Sequence, residues 1–190
     1  MQDIVFITGN QAKADYLAKW LGHSIEHQKV DLDEIQSLDP RKVVEDKARR
    51  AYEMVGKPVL VEDVQLSFNA LGGKLPGTYI KWFLEEMGNE GMVKMLNAFD
   101  DRTATASISY GLYDGENLYT FEGKKHGRIV TELPKTDNDG WHGSKSWNFS
   151  FIPDGAAKTY AEMTDEELKS FSHRAEAIEK LAAFLKTYQK

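Results

Sequence analysis

Ile4-Val5-Phe6-Ile7-Thr8-Gly9-Asn10-Gln11-Ala12-Lys13 runs from an apolar strand through a tight polar turn into the start of a helix. The junction has the makings of a phosphate cradle. N–H groups at a helix start have no intrahelical partner, the helix dipole favours an anion there, and Lys13 adds a cation one turn in. The same letters also read as an ordinary turn in which Asn10 caps the helix. Working outward, residues 3–8 are expected as a buried strand and 11–22 as a helix ended by Gly22, with Ala12, Tyr16, Leu17, Trp20 and Leu21 on one stripe. A short strand near 24–30 precedes Asp31-Leu32-Asp33-Glu34, and Asp39-Pro40 opens a helix to about residue 55. Val59-Leu60-Val61 is an apolar strand expected to end on Glu62 and Asp63.

Beyond a Gly72-Gly73 and Pro76-Gly77 loop, helical spacing from about 79 to 98 is interrupted near Gly88-Asn89. Thr103 to Tyr113 and Leu118 to Val130 are rich in β-branched and aromatic residues, and Asp114-Gly115 between them signals a hairpin. A polar loop, roughly 134–146, leads to Trp147, Phe149 and Phe151, which alternate as a strand would. Thr164 with Glu167 forms a capping box for a short helix, and Ser172 caps a last helix over 173–188. The order is βαβαβα, then a hairpin region, then helix, which makes a mixed-sheet α/β protein.

Composition narrows the function. The chain has 190 residues, 41% of them hydrophobic, and a formal net charge of −6 with acids and bases interspersed. One domain with a sizeable core is expected, and a general nucleic-acid backbone binder, which would show a basic face, is disfavoured. There is no cysteine, which excludes disulfides and thiolate chemistry and suits a reducing compartment. No leader-like segment or membrane-length apolar run is read, so the expectation is a soluble intracellular protein.

Several residues carry candidate chemistry. Glu62 and Asp63 fall where a buried strand surfaces, a usual place for ligand groups in α/β proteins. Adjacent strand residues face opposite sides, so one of the two addresses a site while the other makes a structural contact. A magnesium ligand or general base is one reading, and a solvated strand end is the other. Glu34 could give a second oxygen to the same ion, since Mg²⁺ takes one or two carboxylates plus water and substrate phosphate. Lys47, Lys81 and His173-Arg174 are ordinary surface cations singly, but with Lys13 they would neutralise a triphosphate, and Arg174 could hydrogen-bond a base carbonyl. Trp147 could stack on a nucleobase or belong to the core with Phe149 and Phe151. The five histidines lack metal-ligand spacing, which argues against zinc.

Thr8-Gly9-Asn10 with Lys13, Val61-Glu62-Asp63, Phe68-Asn69-Ala70-Leu71-Gly72-Gly73, Pro76-Gly77-Thr78-Tyr79-Ile80-Lys81-Trp82-Phe83, Thr159-Tyr160-Ala161-Glu162-Met163 and Ser172-His173-Arg174 stand in a fixed order. This ordered set resembles the inosine triphosphate pyrophosphatase, or Ham1-like, family over nearly the whole chain, and is most similar to its eukaryotic type. The resemblance implies one elongated α/β domain over 1–190, with a long central mixed sheet flanked by helices and a cleft between two lobes. It also implies a cytoplasmic homodimer that uses Mg²⁺ to cleave ITP, dITP and XTP between the α and β phosphates, giving a monophosphate and pyrophosphate.

Carried over by position, Thr8, Gly9, Asn10 and Lys13 would hold phosphates, with Lys47 and Lys81 completing the triphosphate site. Glu34 and Asp63 would serve the metal and the attacking water, Lys13 and Asp63 being catalytic and Val64 lying next to the substrate. Trp147, Asn148, His173 and Arg174 would meet the base, with Arg174 favouring a 6-keto purine. Members of the family read Phe-Gly-Trp-Asp-Pro at the base segment, where this chain has Lys145-Ser146-Trp147-Asn148-Phe149. A second alignment uses Gly140-Trp141-His142, and neither restores the acid. Leu168 stands where a lysine is expected, with Lys169 beside it, and Trp141 is a candidate second stacking ring. Two rival functions are the same chemistry on another base, because of Asn148, and a nucleotide-binding module without turnover.

Overall fold

A computed structural model of the chain describes residues 4–135 and 146–188. The opening apolar run makes β1 (Val5–Ile7), buried at every residue, as expected of a parallel strand covered on both faces. Asn10 caps α1 (Gln11–Leu21), and Gly22 ends it in the left-handed conformation, φ 76°, that glycine adopts without penalty. β2 (Glu26–Gln28) pairs with β1 in parallel. The Asp39 side chain accepts the Arg41 N–H and, with Pro40 in the first turn, opens α2 (Pro40–Val55) where the sequence places it.

β3 (Val59–Phe68) returns parallel to β1. It does not end at Glu62-Asp63 as expected but continues for five more residues: Leu66 and Ser67 pair antiparallel with β4 (Pro76–Gly77), which satisfies backbone groups that a strand ending earlier would expose. α3 (Ile80–Leu96) is broken at Gly88, φ 65° and ψ −179°, at the interruption read from Gly88-Asn89. β5 (Thr103–Tyr113) and β6 (Leu118–Ile129) are joined by a turn in which the Asp114 side chain accepts the N–H groups of Glu116 and Asn117.

The expected strand over Trp147–Phe151 is corrected as well. Trp147–Phe149 is a single 3₁₀ turn, and β7 is confined to Phe151–Pro153. Ser146 Oγ accepts the Asn148 N–H at 3.2 Å and the Ser150 hydroxyl donates to the Trp147 carbonyl at 2.9 Å, so local side-chain bonds curl the backbone where aromatic alternation alone suggested extension. α4 (Asp165–Phe171) carries the Thr164–Glu167 capping box, and α5 (His173–Leu185) follows Ser172.

Among the described residues the strands form one seven-stranded sheet, in the order β2-β1-β3-β5-β6-β7, with β4 on β3. Parallel pairs β1–β2 and β1–β3 coexist with antiparallel pairs β3–β4 and β6–β7, so the sheet is mixed. No helix among the described residues is long and apolar enough to cross a membrane.

The chain divides into two compact units. The first comprises Met1–Asp63, Ile108–Gly123 and Glu176–Lys190. Its core packs Val44, Ala48 and Ala51 of α2 on Val5, Ile7, Val59 and Val61 of the sheet. Each such valine or isoleucine contributes roughly 1.5–3 kcal/mol on burial. Gly111 is needed there because a side-chain carbon at that position would run into the Val44 methyl. The second unit comprises Val64–Ser107 and Lys124–Ala175, and its core joins Leu66, Phe68, Met92, Leu96, Phe151 and Tyr160.

Candidate functional site

In the first unit, the tip of β1 is fixed before any ligand is considered. The Thr8 N–H donates to the Gln28 carbonyl at 3.0 Å, the Asn10 N–H to Thr8 Oγ1 at 3.1 Å, and Asn10 Oδ1 accepts the Lys13 N–H at 3.3 Å. Asn10 is therefore a helix cap, as the ordinary-turn reading expects. Lys13 Nζ lies 2.6 Å from Glu62 Oε1, whose side chain is only 6% exposed. Lys47 Nζ binds the Glu34 carboxylate and also donates to the Glu62 carbonyl at 3.3 Å. One strand residue, Glu62, thus receives both lysines, Lys13 through its side chain and Lys47 through its backbone.

Asp63, half-buried, is next along β3 and by strand alternation faces away from Glu62. Lys47 draws the Glu34 carboxylate toward this same stretch of β3. No group of three or more His, Asp or Glu residues able to hold a metal occurs among the described residues. Glu34 and Asp63 are nevertheless hard carboxylate donors of the kind a magnesium ion takes when water and phosphate complete its shell.

In the second unit, Trp147, His173 and Tyr160 form an aromatic set. The Trp147 ring centroid is 5.4 Å from His173 and 6.1 Å from Tyr160, and it meets Phe151 edge-on at 5.9 Å. Trp147, at 6% exposure, is part of the core, so its ring presents little open face. His173 and Arg174 are buried at 3% and 4% exposure, and the Arg174 N–H donates to Ser172 Oγ, which starts α5. Asn148 is half-buried in the 3₁₀ turn, and Val64 packs on the core. Lys81 is drawn into none of this: its ammonium lies 4.0 Å from Glu85 and over the Trp82 ring on an exposed face of α3. Leu168 packs on the core and Lys169 pairs with Glu166 at 3.0 Å. Trp141, Lys145 and the Gly140-Trp141-His142 alignment fall outside the described residues.

Two partners are set by the fold and not by the local sequence. Glu62 and Asp63 are both sequence candidates, and only the fold shows that Glu62 holds Lys13. Asn89, buried just after the α3 break, donates its amide to the Ser146 carbonyl at 2.8 Å and so ties down the start of the Trp147–Phe149 turn. The Gly88-Asn89 pair signalled the break and gave no hint of that partner.

Just before His173-Arg174 in the chain lies α4, where Glu167 accepts the Thr164 N–H and pairs with Lys158 at 2.8 Å. The Lys158 ammonium first, and the Thr164 N–H second, hold the Glu167 carboxyl down to about 2. A carboxyl depressed on folding adds stability above its unfolded value, and that contribution is lost as pH falls. Acid titration followed by NMR is therefore expected to keep the α4 cap intact above the ordinary glutamate range and to release it as pH falls toward about 2.

The fold is thus a mixed α/β sheet whose first strand feeds a capped helix start, with Lys13 of α1 and Lys47 of α2 both drawn to Glu62 of β3. Solved structures share the fold: a Ham1 protein of Coxiella burnetii superposes with a TM-score of 0.84 over 99% of this chain and 100% of that one at 22% identity. One from Staphylococcus aureus gives 0.81 over 98% and 99%, also at 22% identity.

The chain belongs to the Ham1 family, whose sequence profile matches residues 4–184. Among curated relatives, the inosine triphosphate pyrophosphatase of Schizosaccharomyces pombe is 41% identical over 98% of this chain and 97% of its own length. Inosine triphosphate pyrophosphatase 2 of Trypanosoma cruzi is 42% identical over 95% and 90%.

Proposed function

We propose that this chain is a nucleoside triphosphate pyrophosphatase that hydrolyses ITP, dITP and XTP to the monophosphate and pyrophosphate. The observation that carries the reading is the lysine–carboxylate cluster of the first unit, Lys13 with Glu62 and Lys47 with Glu34, at a capped helix start. The reaction is suggested by the name of relatives more than 40% identical over nearly the full length. Water oxygen bonds to the α phosphorus, the bridging bond to the β phosphate breaks, and Asp63 takes the proton the water gives up. Lys13 and Lys47 exchange their carboxylate partners for phosphate oxygens and offset the charge that builds on departing pyrophosphate. Thr8, Gly9 and Asn10 shape the turn around the phosphates, and Lys81 supplies a further cation.

Glu34 and Asp63 would hold Mg²⁺, which when bound supplies Lewis acidity and charge neutralisation. Trp147, Asn148, His173 and Arg174 receive and read the base, with Val64 as a further substrate contact. The chain works as a single catalytic domain and as a homodimer in the cytoplasm, a setting that suits its lack of cysteine.

Pyrophosphate release with Mg²⁺ across a panel of inosine, xanthosine, guanosine and adenosine triphosphates tests this reading. Turnover led by ITP and XTP is the expected result. No release from any of them overturns it in favour of a binding module. Asn148 favours one variation, an altered base preference. A 6-keto purine presents its ring N–H as a donor, which a carboxylate accepts more strongly than a neutral amide does. Asn148→Asp is accordingly expected to raise the kcat/KM ratio of ITP over ATP by roughly fivefold.

A further inference from the structure

We infer that Lys29 is a further phosphate-binding residue, laid across the β1–α1 turn. The inference rests on reading that turn as a triphosphate site. β2 runs parallel to β1 with Gln28 opposite Ile7, and the Thr8 N–H bonds to the Gln28 carbonyl. Continued one step, that register sets Lys29 opposite Thr8, and the Lys29 stem reaches on to the next residue of the turn, Gly9.

Gly9 does not have a positive φ, so its backbone conformation is open to any residue. What it gives is space. A side-chain carbon at position 9 would sit 3.0 Å from both Cγ and Cδ of Lys29, tighter than ordinary contact. The Lys29 stem therefore lies against bare backbone, and the residue is exposed, as for a lysine that packs its stem while keeping its charge in water.

Charge accounting then separates Lys29 from the expected cradle lysines. Lys13 is answered by Glu62 and Lys47 by Glu34. The Lys29 ammonium makes no ion pair or hydrogen bond with a described residue. A phosphate arriving at the start of α1 must draw Lys13 from a carboxylate partner, but it meets Lys29 with no such exchange. Lys29 is the cation at the turn whose full charge is available to an anion, and it makes the first contact that the closed Lys13–Glu62 pair cannot offer.

The test uses the full chain with Lys29→Gln and Lys29→Arg, the probe being inorganic tripolyphosphate measured by calorimetry at low and high salt. Lys29→Gln is expected to weaken tripolyphosphate binding roughly tenfold, the worth of one charge-assisted contact, and to flatten the salt dependence. The KM for ITP should rise by the same factor with kcat little changed, a split that a merely structural residue would not produce. Lys29→Arg should recover most of the affinity, and both variants should melt as the wild type does. Unchanged tripolyphosphate affinity and salt slope in Lys29→Gln would overturn the inference while leaving the pyrophosphatase reading intact. If the wild type binds tripolyphosphate but releases no pyrophosphate from any nucleotide, the reading falls and the calorimetry still decides Lys29. If the wild type fails to bind tripolyphosphate at all, both fall.

Discussion

Asp63→Asn is expected to lower kcat for pyrophosphate release by roughly 100-fold or more, the usual worth of a positioned base, with an unchanged melting temperature. The change keeps size and shape and removes only the charge that the proposed mechanism assigns to proton acceptance and metal binding. Asp63 is half-buried on a paired strand and asparagine matches its shape, so the variant is expected to fold. Glu62→Gln is the informative partner experiment. It removes the anion that holds Lys13, and its loss should be smaller, about tenfold, because Lys13 then loses orientation and keeps its charge. Steady-state pyrophosphate assays on both variants decide which of the two adjacent carboxylates acts on substrate. Near-normal turnover in Asp63→Asn would take Asp63 out of the chemistry.

The second large effect is one of stability. At Gly127, a side-chain carbon would sit 2.7 Å from Phe151 Cζ and 2.9 Å from Pro153 Cα, and closer still to the Ile152 carbonyl. Two of those three neighbours are backbone of β7, directly across the β6–β7 pairing in which Gly127 faces Pro153. Rotamer adjustment cannot relieve this, so the strands must part. Gly127→Ala is expected to cost about 2–3 kcal/mol and to lower the unfolding midpoint by roughly 5–10 °C for a chain of this size. Because Phe151 is the edge-on partner of Trp147 and lies 5.3 Å from Tyr160, the aromatic set should loosen with it. Calorimetric melting reads the first effect, and a fall in discrimination between inosine and adenosine triphosphates reads the second. An unshifted midpoint would mean that β7 does not sit against β6 as described.

These two residues also mark how far the sequence alone could be read. Features specified within a few residues were legible: Gly22 and Asp39-Pro40 bound the first two helices, Asp114 closes the hairpin, and Thr164 with Glu167 caps α4, because caps and turns are local chemistry. What failed was set mainly by distant partners. β3 runs on past Asp63 because Pro76–Gly77 pairs with it, and nothing in Val64-Gln65-Leu66 announces that pairing. One failure was local: Trp147–Phe149 alternates like a strand, yet the flanking Ser146 and Ser150 hydrogen-bond its backbone and curl it.

The candidate site shows the same division. Strand alternation required that Glu62 and Asp63 face opposite ways, but which of them met Lys13, some fifty residues earlier, depended on where α1 packs. Lys29 carried no motif at all. The part inferred for it depends on its stem lying against Gly9, a contact made only when β2 pairs with β1.

The Val44 methyl occupies the place where Gly111 would carry a side chain. Helix and strand are dovetailed there, and neither half of the joint can change alone. A sequence with alanine at 111 is viable chiefly in company with a shorter residue at 44, so the two positions should drift together through descent although 67 residues of chain separate them. Reshaping this half of the molecule, whether by selection or by engineering, has to treat them as a single choice.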